Sequence, residues 1–200
     1  TMATYGFHAS HEQIAPSQLL RDLQGAESAG FDQVALSDHV VQPEKLESTY
    51  PYTRSGRPMF PPDTPWPDVW VPIGALAART ERISFVTHVY VLPARNPFVV
   101  AKAVGTAAVL SGGRVQLGVG AGWMREEFAA LEQPFERRGA RMEEQIQVLR
   151  TLWRGGMVEH HGGRSSTGAS TRKSWPLPSP PAMSTRGRSS PSIAARVAPT

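Results

Sequence analysis

The chain has no cysteine. Disulfides, thiolate zinc sites, iron–sulfur clusters and a thiol nucleophile are therefore excluded. No apolar run approaches the ~20 residues of a membrane helix. The first residues also lack the basic segment and apolar stretch of a secretory signal. The expected compartment is cytoplasmic, with no membrane partner. Neither G-x-x-x-x-G-K-[ST] nor G-x-S-x-G occurs, which leaves P-loop NTPase and α/β-hydrolase readings without support. Acid is missing from the last fifth. Residues 163–200 hold no Asp or Glu, but five Arg, one Lys, nine Ser and six Pro.

That asymmetry reinterprets the net charge of +4. The six bases of the tail leave 15 bases against 17 acids in residues 1–162. The part expected to fold is slightly acidic, so nucleic acid is not an expected partner. Residues 163–200 read as a disordered Ser/Pro/Arg-rich tail. Residues 1–162 read as one folded unit, large enough to bury a core.

Within that unit, strand-like and helix-like segments alternate. Thr4–Phe7 is a short strand. Pro16 suits the first turn of a helix, where its missing N–H costs nothing, and Leu19, Leu20, Leu23 and Ala26 follow at helical spacing. Phe31–Ser37 is a second strand, ending in Asp38-His39. Residues 40–67 hold seven prolines and no periodicity, a loop long enough to be functional. Asp68–Thr80 is a helix, and Arg82–Leu92 is a strongly β-prone run. Asn96-Pro97 caps a helix that runs to Leu110 and stops at Gly112-Gly113. Val115–Val119 is a fourth strand. A short turn over Glu126–Leu131 follows, its two acids favoured at a helix start. In Arg138–Arg154, Met142, Ile146, Leu149 and Trp153 share one helical face.

Repeated β-α order implies a parallel sheet with right-handed crossovers. A doubly wound sheet and a (β/α)₈ barrel both fit that order, but a barrel takes roughly 250 residues. Four units are half of one. In either architecture ligands collect at the strand C-termini. That rule selects His8, Asp38-His39, residues 87–96 and the turn Gly118–Trp123. A carboxylate beside an imidazole at a strand end is equipped for proton transfer. The turn Gly118-Val119-Gly120-Ala121-Gly122-Trp123 has the spacing G-x-G-x-G, not the dinucleotide fingerprint. Its glycines would let a flat cofactor approach the backbone, or would serve close packing. His88 reads as a barrel-interior residue, and His160-His161 as a solvated turn.

Taken in order, several motifs resemble the luciferase-like monooxygenase superfamily, and most closely its coenzyme F420-dependent oxidoreductase branch. They are Gly30-Phe31-Asp32, Ser37-Asp38-His39-Val40, Ala78-Arg79-Thr80-Glu81-Arg82-Ile83 and Leu92-Pro93-Ala94-Arg95-Asn96-Pro97. Leu110-Ser111-Gly112-Gly113-Arg114, the glycine-rich turn from Leu117 to Trp123, Glu127-Phe128 and Phe135–Arg141 complete the set. The resemblance implies a (β/α)₈ TIM barrel, of which the first four units are present before an irregular tail. It implies a flavin or deazaflavin at the strand C-termini, F420 first and FMN as the alternative, with a small-molecule substrate. His39 and Asp38 would be catalytic. His88 and Val89, joined by a non-proline cis peptide, would back the ring, and Ala121, Gly122 and Trp123 would lie along it. Some deazaflavin dehydrogenases of the family carry a glutamate acid where this chain has Trp123, so their particular substrate chemistry is not expected. The proline-rich loop would be a stiff lid.

The likeness stops near Gly162, and the tail reads as a frameshifted or truncated product. Half a barrel would leave the first and fourth strands as open edges and expose interior side chains. A homodimer closing the ring is one expected outcome. An inactive half-barrel fragment that self-associates is the alternative to an enzyme.

Overall fold

The computed structural model describes residues 4–9, 12–155 and 193–197. Its parallel strands are β1 (Gly6–His8), β2 (Gln33–Leu36), β3 (Ser84–Thr87), β4 (Tyr90–Val91) and β5 (Val115–Gly120). The helices are α1 (Pro16–Ser28), α2 (Trp70–Ala77), α3 (Pro97–Leu110), α4 (Arg125–Ala130) and α5 (Arg138–Trp153). β1 pairs with β2, β2 with β3, and β3 and β4 with successive stretches of β5, all parallel. The strand C-termini therefore share one end of the sheet.

The element starts follow from local chemistry. Pro16 opens α1 at a position that needs no N–H. Asp68 Oδ1 accepts from the amides of Trp70 (2.9 Å) and Val71 (3.2 Å), giving α2 its N-terminal cap. Asn96 Oδ1 caps α3 through the Phe98 amide at 2.9 Å. In α5 the expected stripe of Met142, Ile146, Leu149 and Trp153 is buried.

The core lies between the sheet and its helices. Val34, Leu36, Phe85, Val115, Leu117 and Val119 project from the strands into a cluster with Leu23, Ile73, Val104 and Leu149. Each fully buried side chain of this size contributes ~1.5–3 kcal/mol relative to exposure. Alternate strand positions, mostly small or polar (Gly6, His8, Gln33, Ala35, Val86 and Gln116), line with His88 an open concavity of about 420 Å³ on the other face. The period-2 alternation thus separates a dry helical face from a wet inner face.

Beneath the sheet two charged side chains knit the loops. Glu27 accepts from the amides of Glu81, Arg82 and Ile83 at 2.6–3.2 Å. The Arg114 guanidinium donates to Ser111 O, Thr80 Oγ1, Ile83 O, Ala77 O and Thr80 O, at 2.7–3.0 Å.

The β-prone run Arg82–Leu92 is divided into β3 and β4, with a cis peptide at His88–Val89, the bond the family resemblance implied. Within residues 163–200, Ile193–Val197 forms β6, antiparallel to β5. The outer side of the fourth expected strand is therefore not an open edge. An unpaired row of strand N–H and C=O groups is a template for such pairing. The boundary at Gly162, residues 163–192 and His160-His161 lie outside the described residues. Among the described residues no helix is long and apolar enough to cross a membrane.

Candidate functional site

Three segments meet at the strand C-termini: the end of β2, the broken strand β3–β4, and the turn after β5. His39 stands three residues beyond β2. Its Nδ1 lies 3.1 Å from Glu127 Oε2 on the first turn of α4. The second oxygen, Oε1, accepts from the Val40 amide at 2.6 Å. The Glu127 side chain is fully buried and that of His39 is 10% exposed. A carboxylate only accepts hydrogen bonds, so it draws the imidazole proton to Nδ1 and leaves Nε2 to accept one.

Aromatic rings surround this imidazole. Trp66 meets it edge-on at 4.8 Å between centroids, Phe60 lies at 5.9 Å and Trp123 at 6.1 Å. Tyr50 closes against Trp123 at 5.0 Å. Tyr50, Phe60 and Trp66 belong to the proline-rich loop, which therefore covers the strand ends as the lid expectation requires.

Asp38 points elsewhere. It is buried, with Oδ2 2.7 Å from Arg95 Nη2 and 3.4 Å from the Val91 amide. Burial pushes its pKa up to about 6; Arg95, the Val91 amide and His39 oppose the rise, and the Glu127 charge adds to it. Arg95 also stacks over Tyr90 at 4.1 Å and donates to Val91 O at 3.0 Å. Asp38 thus ties β2 to β4 and the turn beyond it. Like His39, it is not among the residues lining the concavity.

His88 and Val89 do line the concavity, and the His88 ring stands 6.3 Å from that of His8 across it. The glycine-rich turn is closely packed. A Cβ on Gly118 would lie 2.1 Å from Thr87 O, and one on Gly120 would lie 2.4 Å from Val89 Cγ2. Gly122 has φ +79°, and its Cβ would press on Val91 and Phe128. These glycines let β5 fit against the broken strand. Thr87 Oγ1 completes the fit, donating to Gly118 O at 2.7 Å and accepting from Gly118 N at 3.0 Å. Ala121 packs half-buried against the core, and Trp123 faces His39 and Tyr50.

Sequence reading missed Glu127 and Arg95 as site residues. Glu127 passed as a favourable first-turn acid, and Arg95 stood only inside a motif. Their partners lie 88 and 57 residues away, beyond any sequence window. No group of three or more metal-ligating side chains occurs among the described residues.

The sequence model of the luciferase-like monooxygenase family matches residues 2–199. An uncharacterized protein of Mycobacterium tuberculosis is 38% identical over 139 residues, covering 70% of this chain and 48% of its own. The F420-dependent glucose-6-phosphate dehydrogenase of Amycolatopsis mediterranei is 37% identical over 80% of this chain and 45% of its own. That of Beutenbergia cavernae is 37% identical over 98% of this chain and 55% of its own. The chain thus spans about half the length of the curated relatives it matches. The family match and the last alignment both run past Gly162, where the motif likeness stops. Among solved structures, an F420-dependent secondary alcohol dehydrogenase bound to an F420–acetone adduct superposes with a TM-score of 0.65. It is 24% identical, over 89% of this chain and 51% of its own. The FMN-bound oxygenating component of 3,6-diketocamphane monooxygenase from Pseudomonas putida gives 0.62 at 19% identity, over 82% and 42%. These likenesses show the fold, an arc of the (β/α)₈ barrel. With parallel strands, a broken third strand and a family match over nearly all its length, the chain belongs to the luciferase-like monooxygenase family.

Proposed function

We propose that this chain carries the catalytic end of a flavin- or deazaflavin-dependent oxidoreductase, with F420 as the first cofactor and FMN as the second. The observation that carries the reading is the His39–Glu127 pair at the strand C-termini, on a fold whose inner face holds an open concavity lined by other residues. Gly6, Ala35 and Gly118 keep its walls low, while Gln33, Gln116, His8 and His88 offer hydrogen-bonding groups along it. Relatives named as F420-dependent dehydrogenases support the deazaflavin. When bound, the cofactor supplies the two-electron acceptor or donor.

The protein's own part is positioning and proton transfer. Glu127 fixes the His39 tautomer, so Nε2 is the atom that takes a hydroxyl proton or returns it to a carbonyl oxygen. The aromatic lid excludes water around that atom. A panel of alcohols and sugar phosphates would identify the substrate.

The test is a titration with oxidised F420 and, separately, FMN, followed by absorbance and tryptophan fluorescence. Saturable F420 binding is expected, and no binding up to millimolar concentration of either cofactor overturns the reading. His39→Gln is expected to retain cofactor binding and to lose ~10²–10⁴-fold in turnover.

A further inference from the structure

Glu126 has no part in the proton chemistry, yet both its oxygens are committed. Oε1 accepts from the amides of Glu47 (2.7 Å) and Ser48 (2.8 Å), and Oε2 accepts from Ser48 Oγ at 2.7 Å. Ser48 Oγ in turn accepts from the Arg125 amide at 3.0 Å. Burial pulls the Glu126 carboxyl upward, but the Ser48 hydroxyl and the amides pull it further down, below the usual range. The carboxylate is therefore the form that these donors hold.

Little of the lid is buried. Of residues 40–67 only Thr64 is buried, and Tyr52 and Met59 are about four-fifths exposed. Such a segment opens easily unless polar contacts pin it. Two adjacent acids on one helical turn supply the pins. Glu127 grips the start of the loop at Val40, and Glu126 grips it again at residues 47–48. Tyr50, two residues beyond the second grip, closes on Trp123 and also meets Phe60 at 6.1 Å.

We propose that Glu126 is a positioning residue: its carboxylate latches residues 47–48 to α4, holding the aromatic lid shut over His39 and any bound substrate. The purpose of the latch rests on the redox function proposed above; its existence does not.

Trypsin reads the latch directly. Lys45 and Arg54 are exposed cleavage sites within the lid, whereas Arg57 is protected by the following Pro58. Losing hydrogen bonds to a charged group is expected to raise cleavage at Lys45 and Arg54 about tenfold in Glu126→Ala. Ser48→Ala keeps both backbone contacts and is expected to show a smaller rise. Glu126→Gln keeps one oxygen for the two amides and is expected to fall between parent and Glu126→Ala. If Glu126→Ala does not fold, Ser48→Ala and Glu126→Gln carry the test. Cleavage within twofold of the parent in every folded variant overturns the latch. In turnover assays a rise in KM of about tenfold, with a much smaller fall in kcat, is expected, as for a lost uniform binding contribution. Faster cleavage with unchanged KM overturns the positioning role. Faster cleavage in a protein that binds neither cofactor supports the latch and overturns the redox reading, so the two failures are distinct.

Discussion

Gly118→Ala separates the two roles open to the glycine-rich turn. The new Cβ would lie 2.1 Å from Thr87 O, whereas a carbon–oxygen contact of this kind settles at about 3.3 Å. The obstacle is backbone of the adjacent strand, which cannot swing away as a side chain can. β3 and β5 would have to part by roughly 1 Å against a normal spacing of about 4.8 Å. Such overpacking costs ~1–3 kcal/mol. The two hydrogen bonds between Thr87 Oγ1 and Gly118 would stretch as well, at ~1 kcal/mol each. A total of about 3–5 kcal/mol, at ~2–4 °C per kcal/mol for a domain of this size, lowers Tm by roughly 10 °C. Thermal unfolding followed by circular dichroism measures it. Gly25→Ala is the control: Gly25 lies in α1, with nothing within 4 Å of its Cβ position, and the change is expected to stabilise by ~0.5–1 kcal/mol. If Gly118→Ala melts within about 2 °C of the parent and instead loses cofactor affinity, the packing explanation is refuted and the cradle reading returns.

Two further outcomes follow from the buried and looped acids. Asp38 has a folded pKa of about 6 against an ordinary 3.8, so its contribution is fullest below pH 4 and is lost as pH rises through 6. Asp38→Asn is therefore expected to gain on the parent by about 3 kcal/mol between pH 3 and 7 in urea unfolding, and a pH-independent difference would count against it. For Glu27 the sign is opposite. Burial raises its pKa, but the Ile83, Arg82 and Glu81 amides and the Arg82 charge lower it more. Its stabilisation is present above the ordinary value of 4.5 and lost as pH falls further. Glu27→Ala should cost ~1 kcal/mol at pH 7, as a lost cap does, and less at pH 3. Equal losses at both pH values would show that the carboxylate charge is irrelevant.

Much of the arc was legible because it is written in short periods. Alternation of two marked β2 and β5, and the stripe from Met142 to Trp153 marked α5. Pro16, Asn96 and Gly112 set element ends by chemistry confined to a few residues. The break in the third strand escaped periodicity, since Ser84 to Val91 is uniformly β-prone; only the family motifs placed it. The polar inner face was also readable in principle. Gln33, His88 and Gln116 fall at alternate positions, but their common orientation emerges only when four strands are in register.

The sequence by itself determined the parallel β-α order, the end of the sheet where chemistry gathers, and His39 as a strand-end imidazole. Backbone geometry dictates these within windows of a few residues. Only the tertiary structure decided what each candidate touches. It paired His39 with Glu127 and Asp38 with Arg95, and brought the glycines close against the broken strand. It also set a second acid to hold the lid. Those outcomes depend on strand register and on the path of a 28-residue loop, residues 40–67. Both are settled by packing between segments 31 to 88 residues apart, a distance over which the order of side chains carries no local signature.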